Sequence, residues 1–72
     1  MKEFLQFLAL LLVNNPSEVD VRETSDAELR VAEEDLGRVI GKQGHTAQSL
    51  RIVLNAVATR NNRKVDLEII DR

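Results

Sequence analysis

Four consecutive residues, Gly41-Lys42-Gln43-Gly44, offer the clearest chemistry in this 72-residue chain. Two glycines three positions apart make a tight turn. With no Cβ atoms at its ends, a phosphodiester can lie close against the backbone. Where a helix begins at such a turn, its first N–H groups point outward and its dipole favours an anion. Lys42 adds a mobile positive charge, and Gln43 adds an uncharged donor and acceptor. A lone Gly-x-x-Gly also describes ordinary turns between helices, so the surrounding elements decide how far the phosphate reading carries.

The chain has a net charge of −2, which at first argues against a polyanionic partner. The distribution argues the other way. Residues 36–64 hold Arg38, Lys42, Arg51, Arg60, Arg63 and Lys64 and no acidic side chain, for +6, whereas residues 1–35 come to −6. An acid-free basic block of this length is an electrostatic footprint for nucleic acid, or else a solvated helix face. Arg38 stands one turn before the glycines, His45 directly after them and Arg51 two turns on. One histidine and no cysteine argue against a zinc site. No nucleophile–base pair and no nucleotide-hydrolase phosphate loop can be read. A binding protein without cofactor or metal is therefore expected, not an enzyme.

The elements that must position this turn follow from periodicity. Phe4 to Val13 is an apolar run of ten residues interrupted by Gln6. A membrane span needs about 20, and Lys2-Glu3 gives no signal-peptide start. The run reads as an amphipathic core helix of a cytoplasmic protein, with Phe4, Phe7, Leu8, Leu11 and Leu12 on its buried stripe and Leu5 at the edge. Asn14 and Pro16 end it. Residues 18–23 and 27–31 alternate apolar and polar side chains around Thr24-Ser25-Asp26, which predicts an antiparallel hairpin.

Glu33-Glu34-Asp35 suit the positive end of a short helix holding Leu36, Val39 and Ile40. Gly37 there reads as a close helix contact. A longer helix over about 45–60 has Ala47, Leu50, Val53, Leu54, Val57 and Ala58 on its core stripe. A last strand covers about 64–70, with Val65, Leu67 and Ile69 inward. Its helical crossover predicts parallel pairing with the second strand. The order helix-strand-strand-helix-helix-strand predicts one α+β domain over 1–72, a three-stranded mixed sheet covered on one face by three helices. A domain this small buries only about 60% of its unfolded surface and often leans on oligomerisation.

With these elements in place, the stretch Val31-Ala32-Glu33-Glu34-Asp35-Leu36-Gly37-Arg38-Val39-Ile40, the glycine turn and His45-Thr46-Ala47-Gln48-Ser49-Leu50-Arg51 resemble the KhpA-type family of small bacterial RNA-binding proteins. The likeness runs over nearly the whole chain. It implies a type II KH domain, in which a GXXG loop clamps four nucleotides of a single strand. It differs in Glu33, where the family often has proline, and in His45, where arginine or lysine is usual. Carried onto this chain, it implies an RNA site at Gly41, Lys42, Gln43 and Gly44, with Arg38, His45 and Arg51 beside it and Val39 and Ile40 as an apolar wall under the bases. Arg60, Arg63 and Lys64 flank the far side.

Two further expectations concern recognition and partners. Phe4 and Phe7 are the only aromatics and are assigned to the core, which leaves none to stack on bases. Stacking supplies about 1–3 kcal/mol per base in many single-strand binders, so weak, unselective binding is expected. Ile52, Ala56 and Thr59 lie opposite the long helix's core stripe and form a candidate partner face. The resemblance implies homodimers or a second KH-containing RNA-binding partner. An adapter with little RNA binding of its own is the competing reading.

Overall fold

A computed structural model describes residues 1–71; Arg72, the last residue of the expected domain, lies outside them. Its helices are α1 (Lys2–Leu10), α2 (Leu36–Ile40) and α3 (His45–Arg60), and its strands β1 (Asp20–Glu23), β2 (Ala27–Val31) and β3 (Leu67–Asp71). Short 3₁₀ turns occupy Pro16–Glu18, Glu33–Asp35 and Lys42–Gly44. The sheet order is β1-β2-β3. β1 pairs antiparallel with β2, Val21 opposite Leu29, and β2 pairs parallel with β3, Leu29 opposite Ile69. This is the predicted topology. Both outer strands are shorter than predicted: Pro16 starts a 3₁₀ turn in place of early strand, and β3 pairs only from Leu67 although Val65 is already buried.

The alternation along each strand sends Val21, Ala27, Leu29, Val31 and Leu67 to one face, where Leu5, Ala9, Val39, Leu50, Leu54 and Ala58 from the three helices meet them. Each large side chain buried there contributes about 1.5–3 kcal/mol. The opposite sheet face carries Arg22, Glu28, Arg30 and Glu68. Arg30 donates to Glu28 at 2.8 Å and Arg22 lies 3.5 Å from Asp20.

The rotation of α1 differs from the expectation. Leu5 and Ala9 are fully buried, with Met1, Leu8, Leu12 and Val13 packed against them, so the inward line steps by four residues. Phe4, Phe7, Leu10 and Leu11 are turned to the surface, Phe7 at 59% and Leu11 at 68% exposure. The physical reason is that an almost continuous apolar run has no unique phase; packing on the sheet selects it. On α3 the buried line is Ala47, Leu50, Leu54 and Ala58, while Val53 is exposed and Val57 only partly buried. Gly37 is exposed and a Cβ there would meet nothing within 4 Å, so it makes no close helix contact.

Asp35 is the one buried charged residue among those described, at 1% exposure. It fastens the segment after α1 to the start of α2. Its Oδ1 accepts from the Asn14 N–H at 3.0 Å, and its Oδ2 accepts from the Asn15 N–H at 2.9 Å and Asn15 Nδ2 at 3.0 Å. Burial pushes its pKa up, but the Asn14 and Asn15 hydrogen bonds, helped by the Arg38 charge, outweigh this and hold the carboxyl below its usual value.

Candidate nucleic-acid interface

The turn between α2 and α3 is built from backbone states that need its glycines. Gly41 has φ 78° and ψ 171°, and Gly44 has φ 77° and ψ 11°. A Cβ on Gly41 would lie 2.6 Å from Thr46 Cβ and 2.9 Å from Thr46 N, and closer still to Thr46 Oγ1. Gly41 is therefore fixed twice, by its dihedrals and by the first turn of α3 beneath it. Gln43 has φ 56° without being glycine, which costs about 1–2 kcal/mol of left-handed strain. Gln43 and Lys42 are both exposed at the tip of the turn.

Gly44 is the N-cap of α3 and gives it no side-chain cap. The Gly44 N–H bonds Gly41 O at 3.1 Å and the His45 N–H bonds Lys42 O. The next N–H groups of α3 lie at the positive end of a 16-residue helix with Lys42 beside them. His45 is exposed at the first position of that helix. The geometry suits an anion approaching over the turn.

The remaining expected residues divide. Arg38 is exposed but held: with the Asn14 amide turned so that its oxygen faces Arg38, Oδ1 accepts from two guanidinium nitrogens at 3.0 and 3.3 Å. Val39 has no exposed surface and belongs to the core, so only the partly exposed Ile40 offers an apolar wall beside the turn. Arg51 reaches from α3 to the edge strand, its Nε donating to Leu67 O at 3.3 Å. Arg63 donates to Glu23 at 3.2 Å and to Thr24 O at 3.4 Å, pinning the loop after α3 to the hairpin. Arg60 and Lys64 are exposed.

The space between α3, which starts at the glycine turn, and the outer edge of β3, spanned there by Arg51, corresponds to the groove that the resemblance implies. The Ala27 N–H bonds Asp66 O across to β2, so the alternate carbonyls of Leu67 and Ile69 face the open edge. The groove holds no aromatic side chain, but not for the reason expected. Phe4 and Phe7 are exposed on α1, which packs on β1 and β2 of the same sheet face, away from the β3 edge.

A second surface was not legible beforehand. Every exposed large hydrophobic among the described residues lies on α1, its C-cap or α3: Phe4, Phe7, Leu10, Leu11, Ile52 and Val53. Between the two helices is an apolar groove lined by Leu8, Leu11, Leu12, Thr46, Ser49, Leu50 and Val53. Of the expected partner face, Ile52 is 63% exposed, and Ala56 and Thr59 are exposed beside it. No group of metal-ligating residues and no helix long and apolar enough to cross a membrane occurs among the described residues.

A glycine turn between two helices, over a mixed sheet ordered helix-strand-strand-helix-helix-strand, defines a type II KH domain. A family model for the KhpA/KhpB KH domain matches residues 2–69, and the chain belongs to that family. Among its relatives, the RNA-binding protein KhpA of Halalkalibacterium halodurans is 46% identical, covering 99% of this chain and 100% of the relative. The RNA-binding protein KhpA of Clostridium acetobutylicum is 45% identical over 97% of this chain and 100% of the relative. The RNA-binding protein KhpA of Chlamydia caviae is 43% identical over 99% and 97%. No solved structure matches the chain.

Proposed function

We propose that this protein holds single-stranded RNA by its backbone at Gly41-Lys42-Gln43-Gly44 and lays the bases along the groove between α3 and β3. The observation that carries this reading is the turn itself: Cβ-free at both ends, backed by an uncapped 16-residue helix and tipped by an exposed lysine. His45 lies within reach of the same phosphates, Ile40 gives the bases an apolar side, and Arg51 lines the groove. Arg38 sets the far end of the positive field while bound to Asn14. Without an aromatic in the groove, one domain binds weakly and with little sequence selectivity. The relatives' names agree with RNA as the ligand.

Pairing would compensate for weak single-domain binding, because two linked sites gain avidity without new contacts. The apolar surface of Phe7, Leu11, Ile52 and Val53 supports association with a second copy or with another KH-containing RNA-binding protein. In this reading the protein acts in the cytoplasm in post-transcriptional regulation. The same surface favours the alternative, an adapter in which the KH fold serves protein contacts and binds little RNA.

One experiment separates the two. Lys42→Asp with Gln43→Asp puts two negative charges where phosphates would lie, on exposed positions that the core does not use. The folded double variant, checked by circular dichroism, should lose roughly a hundredfold in affinity for a labelled single-stranded RNA while keeping its oligomeric state. Unchanged RNA affinity removes the clamp and leaves the adapter.

A further inference from the structure

Within the RNA-binding reading, Arg38 is the cation beside the clamp on the α2 side, and its place is fixed from a distant part of the chain. Its Nε and one terminal nitrogen both donate to Asn14 Oδ1, at 3.3 and 3.0 Å, when the amide oxygen faces the guanidinium. That is the orientation in which the amide finds matching partners. The bond leaves three of the five guanidinium N–H donors, and two of these form the end-on fork of the paired terminal nitrogens. Such a fork matches two oxygens of one phosphate. The backbone under Asn14 is itself held. The Asn14 and Asn15 N–H groups donate to the two oxygens of buried Asp35, and the Val13 N–H closes the last turn of α1 onto Ala9 O at 3.2 Å. Pro16 opens the next turn with its fixed φ. The Asn14 amide is thus presented from a rigid segment. Joining α1 to α2 does not need it, because Asp35 already makes that join with three hydrogen bonds. What the amide adds is a fixed posture for the arginine.

We propose that Asn14 is a positioning residue for RNA binding: it holds Arg38 with the end-on fork free for the phosphate next to those at the glycine turn. A loose arginine gives up much rotational freedom when it grips a phosphate, and one already held gives up less. The buried Asp35 carboxylate adds to the hold, since its charge and that of Arg38 attract. Asn14 is neutral, so its bond takes none of the arginine's charge away from the strand. The role belongs to Asn14 alone among the residues after α1, because Asn15 spends its amide on Asp35 Oδ2 at 3.0 Å.

The test is a double-mutant cycle, read by fluorescence anisotropy with a labelled ten-nucleotide single-stranded RNA holding all four bases, at several salt concentrations. The proteins are the wild type, Asn14→Ala, Arg38→Ala, the Asn14→Ala/Arg38→Ala variant and the Lys42→Asp/Gln43→Asp variant. Asn14 and Arg38 are exposed, and their truncation leaves the backbone bonds to Asp35 in place, so these variants should melt close to wild type. Arg38→Ala should weaken binding about tenfold and lower the logarithmic salt slope by about 0.7, as the loss of one phosphate contact does. Asn14→Ala should weaken it about threefold and lower the slope as well, although it removes no charge. A merely structural role would not move the slope. In the Arg38→Ala background, Asn14→Ala should change nothing further. Equal losses from Asn14→Ala in both backgrounds, or a slope that it leaves unchanged, overturn the proposal. Tighter binding by Asn14→Ala overturns it too, since the amide would then be holding the arginine back from the strand. No effect of Arg38→Ala, with the clamp variant inactive, defeats the Asn14 assignment and leaves the RNA-binding reading standing. A wild type that does not bind, or a clamp variant that binds as tightly as wild type, defeats both.

Discussion

The two flanks of α3 stand side by side on one 16-residue helix and differ in almost every physical respect. Toward β3 the flank is polar: Gln48, Arg51 and Asn55, with Arg51 tied to Leu67 O and Asn55 tied to the helix backbone. Toward α1 it presents Thr46, Ser49, Leu50 and Val53 to Leu8, Leu11 and Leu12, an apolar groove whose rim is left open to solvent. Fixed hydrogen-bonding groups suit a ligand read one group at a time. Apolar side chains that water meets unfavourably suit a partner of matching surface. The contrast teaches that one helix can present two unlike surfaces because helical periodicity separates residues 51 and 53 by about 200°. The shared element is the first turn of α3, where Thr46 lies under Gly41 on one side and lines the apolar groove on the other.

The strongest way to break the contrast is at Gly41. Gly41→Ala combines a forbidden backbone state with a collision against Thr46, so the turn must move. It should lower stability by about 2 kcal/mol, seen as a lower midpoint in urea, and abolish RNA binding in an anisotropy titration. Normal binding by Gly41→Ala would mean that the turn geometry does not matter to the ligand. Next, Val53→Asp or Leu11→Asp should reduce self-association, read by sedimentation velocity, with single-domain RNA affinity retained. Both positions are exposed, so stability should change by no more than about 0.5 kcal/mol. An unchanged sedimentation profile for both variants would empty the apolar flank of its assigned role.

Asp35 tests the support beneath the polar side. Its folded-state pKa is depressed, so its ionised form stabilises the fold fully above the unfolded value of about 3.9, and the contribution is lost as pH falls through the folded value. Wild-type melting temperature should therefore drop as pH is lowered below about 4. Asp35→Asn should melt lower than wild type at neutral pH and show a flatter profile below it; two parallel profiles would contradict the assignment. The smallest effect is expected from His45→Arg, which adds one permanent charge at the start of α3. It should tighten RNA binding modestly and steepen the logarithmic salt dependence by about 0.7. No change in that slope would place His45 away from the phosphates.

Much of this was legible from local pattern. The Gly41–Gly44 turn could be read because only glycine suits its dihedrals, and the strand order because alternation at 18–23, 27–31 and 64–70 left few alternatives. The α1 surface could not be read. Ten apolar residues in a row admit several stripes, and only contact with β1 and β2 decides that Leu5 and Ala9 go in while Phe7 and Leu11 stay out. Two side-chain links were hidden for a related reason, long-range pairing. Asp35 looked like one of three acids favouring a helix start, yet it is a buried acceptor for backbone 20 and 21 residues away. Arg51 is placed beside the turn by its position two turns on, but its link to Leu67 spans 16 residues and could not be read. Neither partner is written near its residue in the chain.

The missing cap on α3 has a consequence for how this protein reports its own occupancy. In the free chain the helix begins at a glycine with no side-chain cap, and of its leading amides the His45 N–H is taken by Lys42 O. On the proposed RNA-binding reading, a phosphate held there would complete the helix as an N-cap side chain does, and the ligand would serve as a structural part of the fold. Occupancy should then be readable as heat resistance. Ligand at a hundred times its dissociation constant raises stability by about 2.7 kcal/mol, and the amides of Thr46 and Ala47 should exchange more slowly with deuterated solvent when the strand is bound. On that reading the protein would be most stable where its ligand is abundant, and its lifetime against local unfolding would follow the supply of single strands.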